Sequence, residues 1–201
     1  MNKLVFALAL CLLPVAAART QERQRQQPAA QNEPAKPAPQ PARPKPLEVI
    51  PDEVFDRELK DLDGRDFYLS NYRGRVFVIN IWATWCRPCH AQVPDLNKIY
   101  EDYAPRGVEV VGLTTEDMKA DAAKVKAFAA EFGVKYRLGW GDAETTRRMM
   151  SERPSIPQVF VVSADGRVAA SFIGHSDLVS EMIRKSIDKA LNPPAAAPPR
   201  P

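Results

Sequence analysis

Cysteine is scarce in this 201-residue chain. There are three, and Cys11 lies in an apolar run at the start, so only Cys86 and Cys89 serve the body of the protein. A framework of structural disulfides is excluded. Histidine is scarcer still: His90 and His175 are the whole supply, so a haem held by His90 would look to a distant Met, Met118, Met149, Met150 or Met182, for its other ligand. Charge of one sign is lacking as well. The formal net charge is +3, and between residues 52 and 192 twenty Lys and Arg face twenty-two Asp and Glu, a balance of −2. That leaves no electrostatic footprint for nucleic acid. Long hydrophobic runs are missing too: the apolar start, Leu4 to Val15, is interrupted by Pro14 and falls short of the roughly 18 to 20 residues of a spanning helix.

That start has the layout of an export signal. Lys3 supplies the positive end, Leu4 to Val15 the apolar run, and Ala16, Ala17 and Ala18 a cleavage site. Residues 1–18 are expected to be removed and the protein to be periplasmic or otherwise exported, with an uncleaved membrane anchor as the alternative. Cys11 sits inside the run after Leu10, a poor setting for lipidation. Residues 19–51 are rich in Pro, Gln and Ala and hold too few large apolar side chains to offset the entropy of ordering them. They are expected to be a disordered linker, and residues 193–201 a disordered tail. The folded domain is then residues 52–192.

Within it the pattern is that of an α/β fold, a mixed central sheet flanked by helices. "VFVINI" (76–81) is continuously apolar, as in a strand buried on both faces. A helix follows from about Cys86 to Tyr103, with Val93, Leu96, Tyr100 and Tyr103 on one face. Next come a strand at 108–113, a helix near Ala120 to Phe132 with Val125, Phe128 and Phe132 in register, and a short helix at Ala143 to Met150. "QVFVV" and "VAASF" form a hairpin through Asp165-Gly166. The last helix, Asp177 to Leu191, is expected to turn Leu178, Met182 and Ile187 inward. Asp63-Gly64 predicts a small hairpin ahead of the main fold.

The chemistry lies in Cys86 and Cys89, two residues apart, directly after the buried strand and at the start of a helix. A C-x-x-C bridge closes too small a loop to constrain the unfolded chain much, so reactivity is the better reason for it. Unpaired amides and the positive dipole end of a helix stabilise a thiolate at Cys86, and Arg87 acts in the same direction. Cys89, one turn in, is expected to be the more covered thiol. Cys86 would attack a substrate disulfide and Cys89 would resolve the mixed disulfide. Pro88 restricts the turn between them. Trp85 serves equally as core filler or as an apolar contact beside the thiol.

The run "VFVINIWATWCRPCHAQVPDLNKIY", then "VEVVGL", then "SIPQVFVVSADGRVAASFIG", resembles the thioredoxin superfamily, and within it the exported TlpA/ResA/DsbE-like thiol-disulfide oxidoreductases. The resemblance spans nearly all of 52–192. It implies a thioredoxin-like fold with an N-terminal β-hairpin extension, a redox-active Cys86-Cys89 disulfide and no other cofactor. It also implies a cis Ile156-Pro157 bond facing the dithiol, with the Ile156 backbone pairing with substrate. Trp82, Trp85, Pro94 and Gly174 fall on family positions as active-site surroundings, helix kink and strand end. The implied partners are client proteins with disulfides, often apocytochromes c, and a membrane electron donor; nucleic acid is not among them. Three positions depart from the family pattern: Asn80 stands where thioredoxins carry a buried Asp, Gln92 where related members carry a Glu, and, more mildly, Gln158 where Thr is usual. An amide exchanges no proton at neutral pH, so water or a carboxylate from another loop, Glu116, is expected to do this work.

C-x-x-C-H also matches covalent haem attachment, with His90 as axial ligand, and Cys86, Cys89 and His90 together could hold copper. A haem there would displace the helix packing that Val93 and Leu96 imply. The dithiol is therefore preferred, with His90 as an exposed helix residue or a tuner of the thiol. A peroxidase on the same fold would call for a single exposed cysteine in another setting.

Overall fold

Six residues in a row, Phe77 to Trp82, leave no face for water, and a strand of this kind is stable only inside a sheet covered on both sides. The computed structural model describes residues 49–150 and 154–193. The elements in order are α1 (Asp52–Phe55), β1 (Leu59–Lys60), β2 (Asp66–Phe67), a 3-10 turn (Leu69–Tyr72), β3 (Phe77–Trp82), α2 (Arg87–Tyr103) and β4 (Glu109–Thr114). They continue with α3 (Met118–Glu131), β5 (Arg137–Trp140), α4 (Ala143–Met150), β6 (Gln158–Val162), β7 (Val168–Ile173) and α5 (Asp177–Leu191). The main sheet has the order β5-β4-β3-β6-β7, with β3 in its centre. β3, β4 and β5 are parallel; β6 and β7 run antiparallel.

Alternation along β3 sends its side chains to two cores. Val78 and Trp82 meet Val93, Leu96 and Ile99 of α2, Val125 and Phe128 of α3, and Ile183 and Ile187 of α5. Phe77, Ile79 and Ile81 meet the α1 residues Val54 and Phe55, the hairpin residues Leu59 and Phe67, and Met149 of α4. Mixed sheet, flanking helices and N-terminal hairpin are all as the sequence leads one to expect. Gly64, at φ 83°, makes the hairpin turn, and Asp61 Oδ1 accepts the Asp63 and Arg65 N–H groups to close it.

Three features differ from expectation. β5 went unread because Gly139 breaks its apolar pattern. That glycine is needed: a Cβ there would lie 2.6 Å from Phe67 Cζ and 3.1 Å from Lys60 O, where the hairpin closes against the sheet. The fold takes in residues before Asp52, since Val49 bridges to Arg167 and Ile50 is buried. The third difference is the phase of α5. Ser180, Ile183 and Ile187 face the core, whereas Leu178 and Met182 are 63% and 42% exposed. Both rows have helical spacing, and packing against the sheet selects one of them. The signal, most of the linker and the C-terminal tail lie outside the described residues.

This phase makes a prediction for urea unfolding. Ile183→Ala is expected to cost about 2–5 kcal/mol, the usual range for a cavity in a packed core. Leu178→Ala should stay within about 0.5 kcal/mol of the parent. Equal losses at the two positions would contradict the packing described.

Candidate active site

β3 runs into α2 through Ala83, Thr84 and Trp85, and Cys86 is the residue that caps the helix. Its backbone is extended, at φ −87° and ψ 99°, and its Sγ accepts the Cys89 N–H at 3.2 Å. The sulfur thus occupies the place of a capping oxygen, at the end where the first-turn amides have no helical carbonyl to meet. Arg87 and Pro88 follow as the first two helical residues, where proline's missing N–H is no loss. Cys86 and Cys89 are joined in a disulfide.

Both cysteines are covered, Cys86 at 4% exposure and Cys89 at 2%, while Trp85 beside them is 65% exposed. Trp85 is therefore surface, not core filler. Arg87 is also exposed, so water screens its charge. Pro94 stands within the unbroken span of α2, two turns beyond Pro88.

The Ile156-Pro157 peptide bond is cis. Ile81 of β3 pairs with Gln158 of β6, so Pro157 lies one step beyond, at the same end of the sheet as the dithiol. Pro157 O accepts the Gly174 N–H at 2.8 Å, which ties the end of β7 to this segment. Ile156 is half-buried and packs on both cores.

Inside, on the α2 face of β3, the polar groups are uncharged. Asn80 faces the buried Tyr136 phenol, which burial holds protonated far above its ordinary range. Asn80 Oδ1, Trp82 Nε1 and both amide atoms of Gln92 are buried without a hydrogen-bond partner among the described residues. Gln92 is one helical turn after Cys89 and shares its face. Neither amide can act as the acid or base that the corresponding carboxylates would supply. Gly112 lets these groups crowd together: a Cβ on it would lie 2.6 Å from Leu138 Cδ2, 3.1 Å from Trp82 Nε1 and 3.2 Å from Tyr136 Cε2.

His90 is not an exposed helix residue. Its ring packs against the stacked pair Phe128 and Phe132, with centroids 5.1 and 5.0 Å away, and its Nε2 is 2.6 Å from Thr84 O. A carbonyl only accepts, so Nε2 carries the proton and is committed to the loop. His175 is equally committed, 2.9 Å from Asp95 Oδ2. The haem and copper readings both drew on His90, and with Nε2 turned to Thr84 and the two sulfurs joined to each other the donor set does not fit them. Among the described residues, no three His, Cys, Asp or Glu side chains converge on one point, and no helix is long and apolar enough to cross a membrane.

Glu116 comes to the same loop from the end of β4. It accepts the Thr84 N–H at 2.9 Å, the Thr84 hydroxyl, the Thr114 hydroxyl at 2.9 Å and Lys124 Nζ at 2.8 Å. Burial works against its ionisation, but Lys124, Thr84 and Thr114 together prevail and hold its carboxyl below the ordinary range. Thr84 and Lys124 were not singled out from the sequence. They lie 32 and 8 residues from Glu116: the parallel pairing of β3 with β4 brings Thr84 to it, and α3, which starts just after Glu116, brings Lys124.

Asp95 on α2 accepts Ser180 Oγ of α5 at 2.6 Å as well as pairing with His175. Burial opposes its charge, yet Ser180 and His175 leave its pKa below the ordinary 3.8. A folded-state pKa below the unfolded value means stabilisation that is complete above 3.8 and lost as pH falls through the folded value. Asp95→Asn should therefore be less stable than the parent at neutral pH, and the gap should narrow under acid. A gap that stays constant with pH in denaturant titrations would contradict this.

Comparison with known proteins agrees with this architecture. The chain is 30% identical over 116 residues to the thiol-disulfide oxidoreductase ResA of Geobacillus thermodenitrificans, covering 58% of this chain and 64% of that one. It is 32% identical over 119 residues to the thiol:disulfide interchange protein HelX of Rhodobacter capsulatus, covering 59% and 62%. The matches thus span just under two thirds of these relatives. Among solved structures, a putative thiol:disulfide interchange protein DsbE from Chlorobium tepidum superimposes with a TM-score of 0.63 at 23% identity, over 73% of this chain and 98% of that one. The likeness is one of fold, and the fold is thioredoxin-like. A family model spans residues 50–171, from the buried residue before α1 through β3, the dithiol and the cis-proline strand to β7, and by that match the chain belongs to the AhpC/TSA family.

Proposed function

We propose that this protein is a thiol-disulfide oxidoreductase that reduces disulfides of exported client proteins. The observation that carries the reading is the disulfide between Cys86, at the cap of α2, and Cys89, in its first turn, beside an exposed Trp85. In the reduced protein the helix end favours the Cys86 thiolate, and the buried, uncharged surroundings of Cys89 favour its thiol. Cys86 Sγ attacks one sulfur of the client disulfide; a protein–client disulfide forms and one client thiolate leaves. Cys89 then gives up its proton and attacks Cys86 Sγ, releasing the second client thiolate. Two electrons have moved to the client, and the protein is left with the Cys86-Cys89 bond. A dithiol donor at the membrane restores the thiols, and the cycle uses no other cofactor.

The names of the relatives, a thiol-disulfide oxidoreductase and a thiol:disulfide interchange protein, support the chemistry. Export is supported by the layout of residues 1–18. Trp85 offers the client an apolar shoulder. Ile156, next to the cis proline at the same end of the sheet, offers it a backbone edge. Apocytochromes c are the client class that the resemblance favours.

Cys86→Ser is expected to abolish reduction of a peptide disulfide, and Cys89→Ser to accumulate the mixed disulfide on non-reducing gels. Turnover by Cys86→Ser at the parent rate would refute the assignment. The reduction potential, measured by equilibration with glutathione, should lie nearer the roughly −270 mV of thioredoxin than the roughly −120 mV of a strong oxidant. A value near the latter would reverse the direction.

A further inference from the structure

Thr84 sits two residues before Cys86 in the loop that presents the dithiol, and all three of its polar groups are held by side chains from elsewhere. Its N–H and its hydroxyl both go to Glu116, and its carbonyl accepts from His90 Nε2 at 2.6 Å. One residue after the end of β4, Thr115 N–H donates to Trp82 O at 3.0 Å, so the loop is anchored at Trp82 as well. The two side chains come from different elements: Glu116 follows β4, and His90 belongs to α2 and packs against the stacked Phe128 and Phe132 of the α3 segment.

The Glu116 side chain is 4% exposed, while its partner Lys124 is 52% exposed. A carboxylate has about four acceptor sites. Here four donors meet it: Thr84 N–H, Thr84 Oγ1, Thr114 Oγ1 and Lys124 Nζ. A carboxylate engaged in this way is a poor acceptor for a proton from Cys89, although the sequence points to Glu116 for that task. Its bonds converge on the backbone that sets where Trp85 and Cys86 stand.

We propose that Glu116 is a positioning residue, which with His90 clamps Thr84 and so fixes the loop that aims Trp85 and Cys86 at the client. The inference rests on the oxidoreductase reading for its rate consequence and on geometry alone for the clamp. Neither Glu116 nor Thr84 hydrogen-bonds the sulfurs; both act through Trp85, the one residue that links Thr84 to Cys86. Losing the clamp from either side therefore changes the aim of Cys86 and the seating of its sulfur at the helix end that favours a thiolate.

The test is a double-mutant cycle in the full chain with Glu116→Gln and Thr84→Val, and Thr84→Ser as the conservative control. Two readouts are taken on each protein: the rate of peptide-disulfide reduction against pH, and the ionisation of Cys86 in the reduced protein by thiolate absorbance. Each single variant is expected to slow turnover by about threefold to thirtyfold, and the double to be no slower than the worse single, as for groups acting in one network. Both singles should move the Cys86 midpoint in the same direction, and Thr84→Ser should restore the parent values.

Losses that multiply in the double variant would overturn the clamp. So would a limb of the pH profile that vanishes in Glu116→Gln but survives in Thr84→Val, since that would mark Glu116 as the proton acceptor. Parent-like values in both singles would overturn it too. If Glu116→Gln fails to fold, Thr84→Val against Thr84→Ser decides by the same readouts. A parent protein that reduces no disulfide would sink the oxidoreductase reading instead, and the Cys86 titration, which needs no client, would still read the clamp.

Discussion

The dithiol stands where it does because a strand buried on both faces runs directly into a helix whose first amides have no carbonyl to meet. β3 is locked by β4 on one side and β6 on the other, so its end has little freedom. α2 can start only where the chain leaves the sheet, and the residue at that corner must satisfy an amide. A sulfur does so here, at Cys86. Capping and reactivity are one arrangement, because the dipole end that welcomes a capping group also favours an anion. The other parts of the site are referred to this corner: Pro157 by the register of β6 on β3, Glu116 by that of β4 on β3, and His90 by its place one residue into α2 beyond Cys89.

Charge around the pair is distributed unevenly. On the core side of Cys89, Asn80, Trp82, Gln92 and Tyr136 are all uncharged. The carboxylate of the site lies instead under the loop, engaged with Thr84, Thr114 and Lys124. An uncharged interior favours a thiol over its thiolate, while a helix cap favours the anion. Two chemically identical side chains, both covered, thus stand at unlike ends of one helical turn. Asp95 plays a related part farther along α2, where Ser180 and His175 tie it to α5 and to the loop after β7. Since Gly174 in that loop donates to Pro157 O, the cis-proline segment and the helix of the dithiol are joined through neighbouring contacts.

Much of this was open to reading from local pattern. The apolar run of β3, the C-x-x-C pair at a helix start, the two Asp-Gly turns and the I-P before β6 each carry a signal within a few residues. Other features were not readable in this way. β5 holds a glycine where Phe67 approaches, and a side-chain pattern cannot register a residue chosen for having no side chain. α5 offers two apolar rows of equal spacing, and only its neighbours decide that Ile183 and Ile187 go in while Leu178 and Met182 stay out. His90 looked like an exposed polar residue because Phe128 and Phe132, against which it packs, lie about forty positions away, a separation that local periodicity does not bridge.

By itself the sequence determined the class of fold, the order of its main elements and the place of the two cysteines at a helix start, because hydrophobic period, turn residues and cysteine spacing are short-range properties. Tertiary structure decided what surrounds them: the cover over both sulfurs, the exposed face of Trp85, the commitment of His90, and the four donors that meet Glu116. These depend on strand register, which brings residues 32 positions apart within hydrogen-bond distance. Register is set by the sum of packing on both faces of the sheet, and no short stretch of the chain contains that sum.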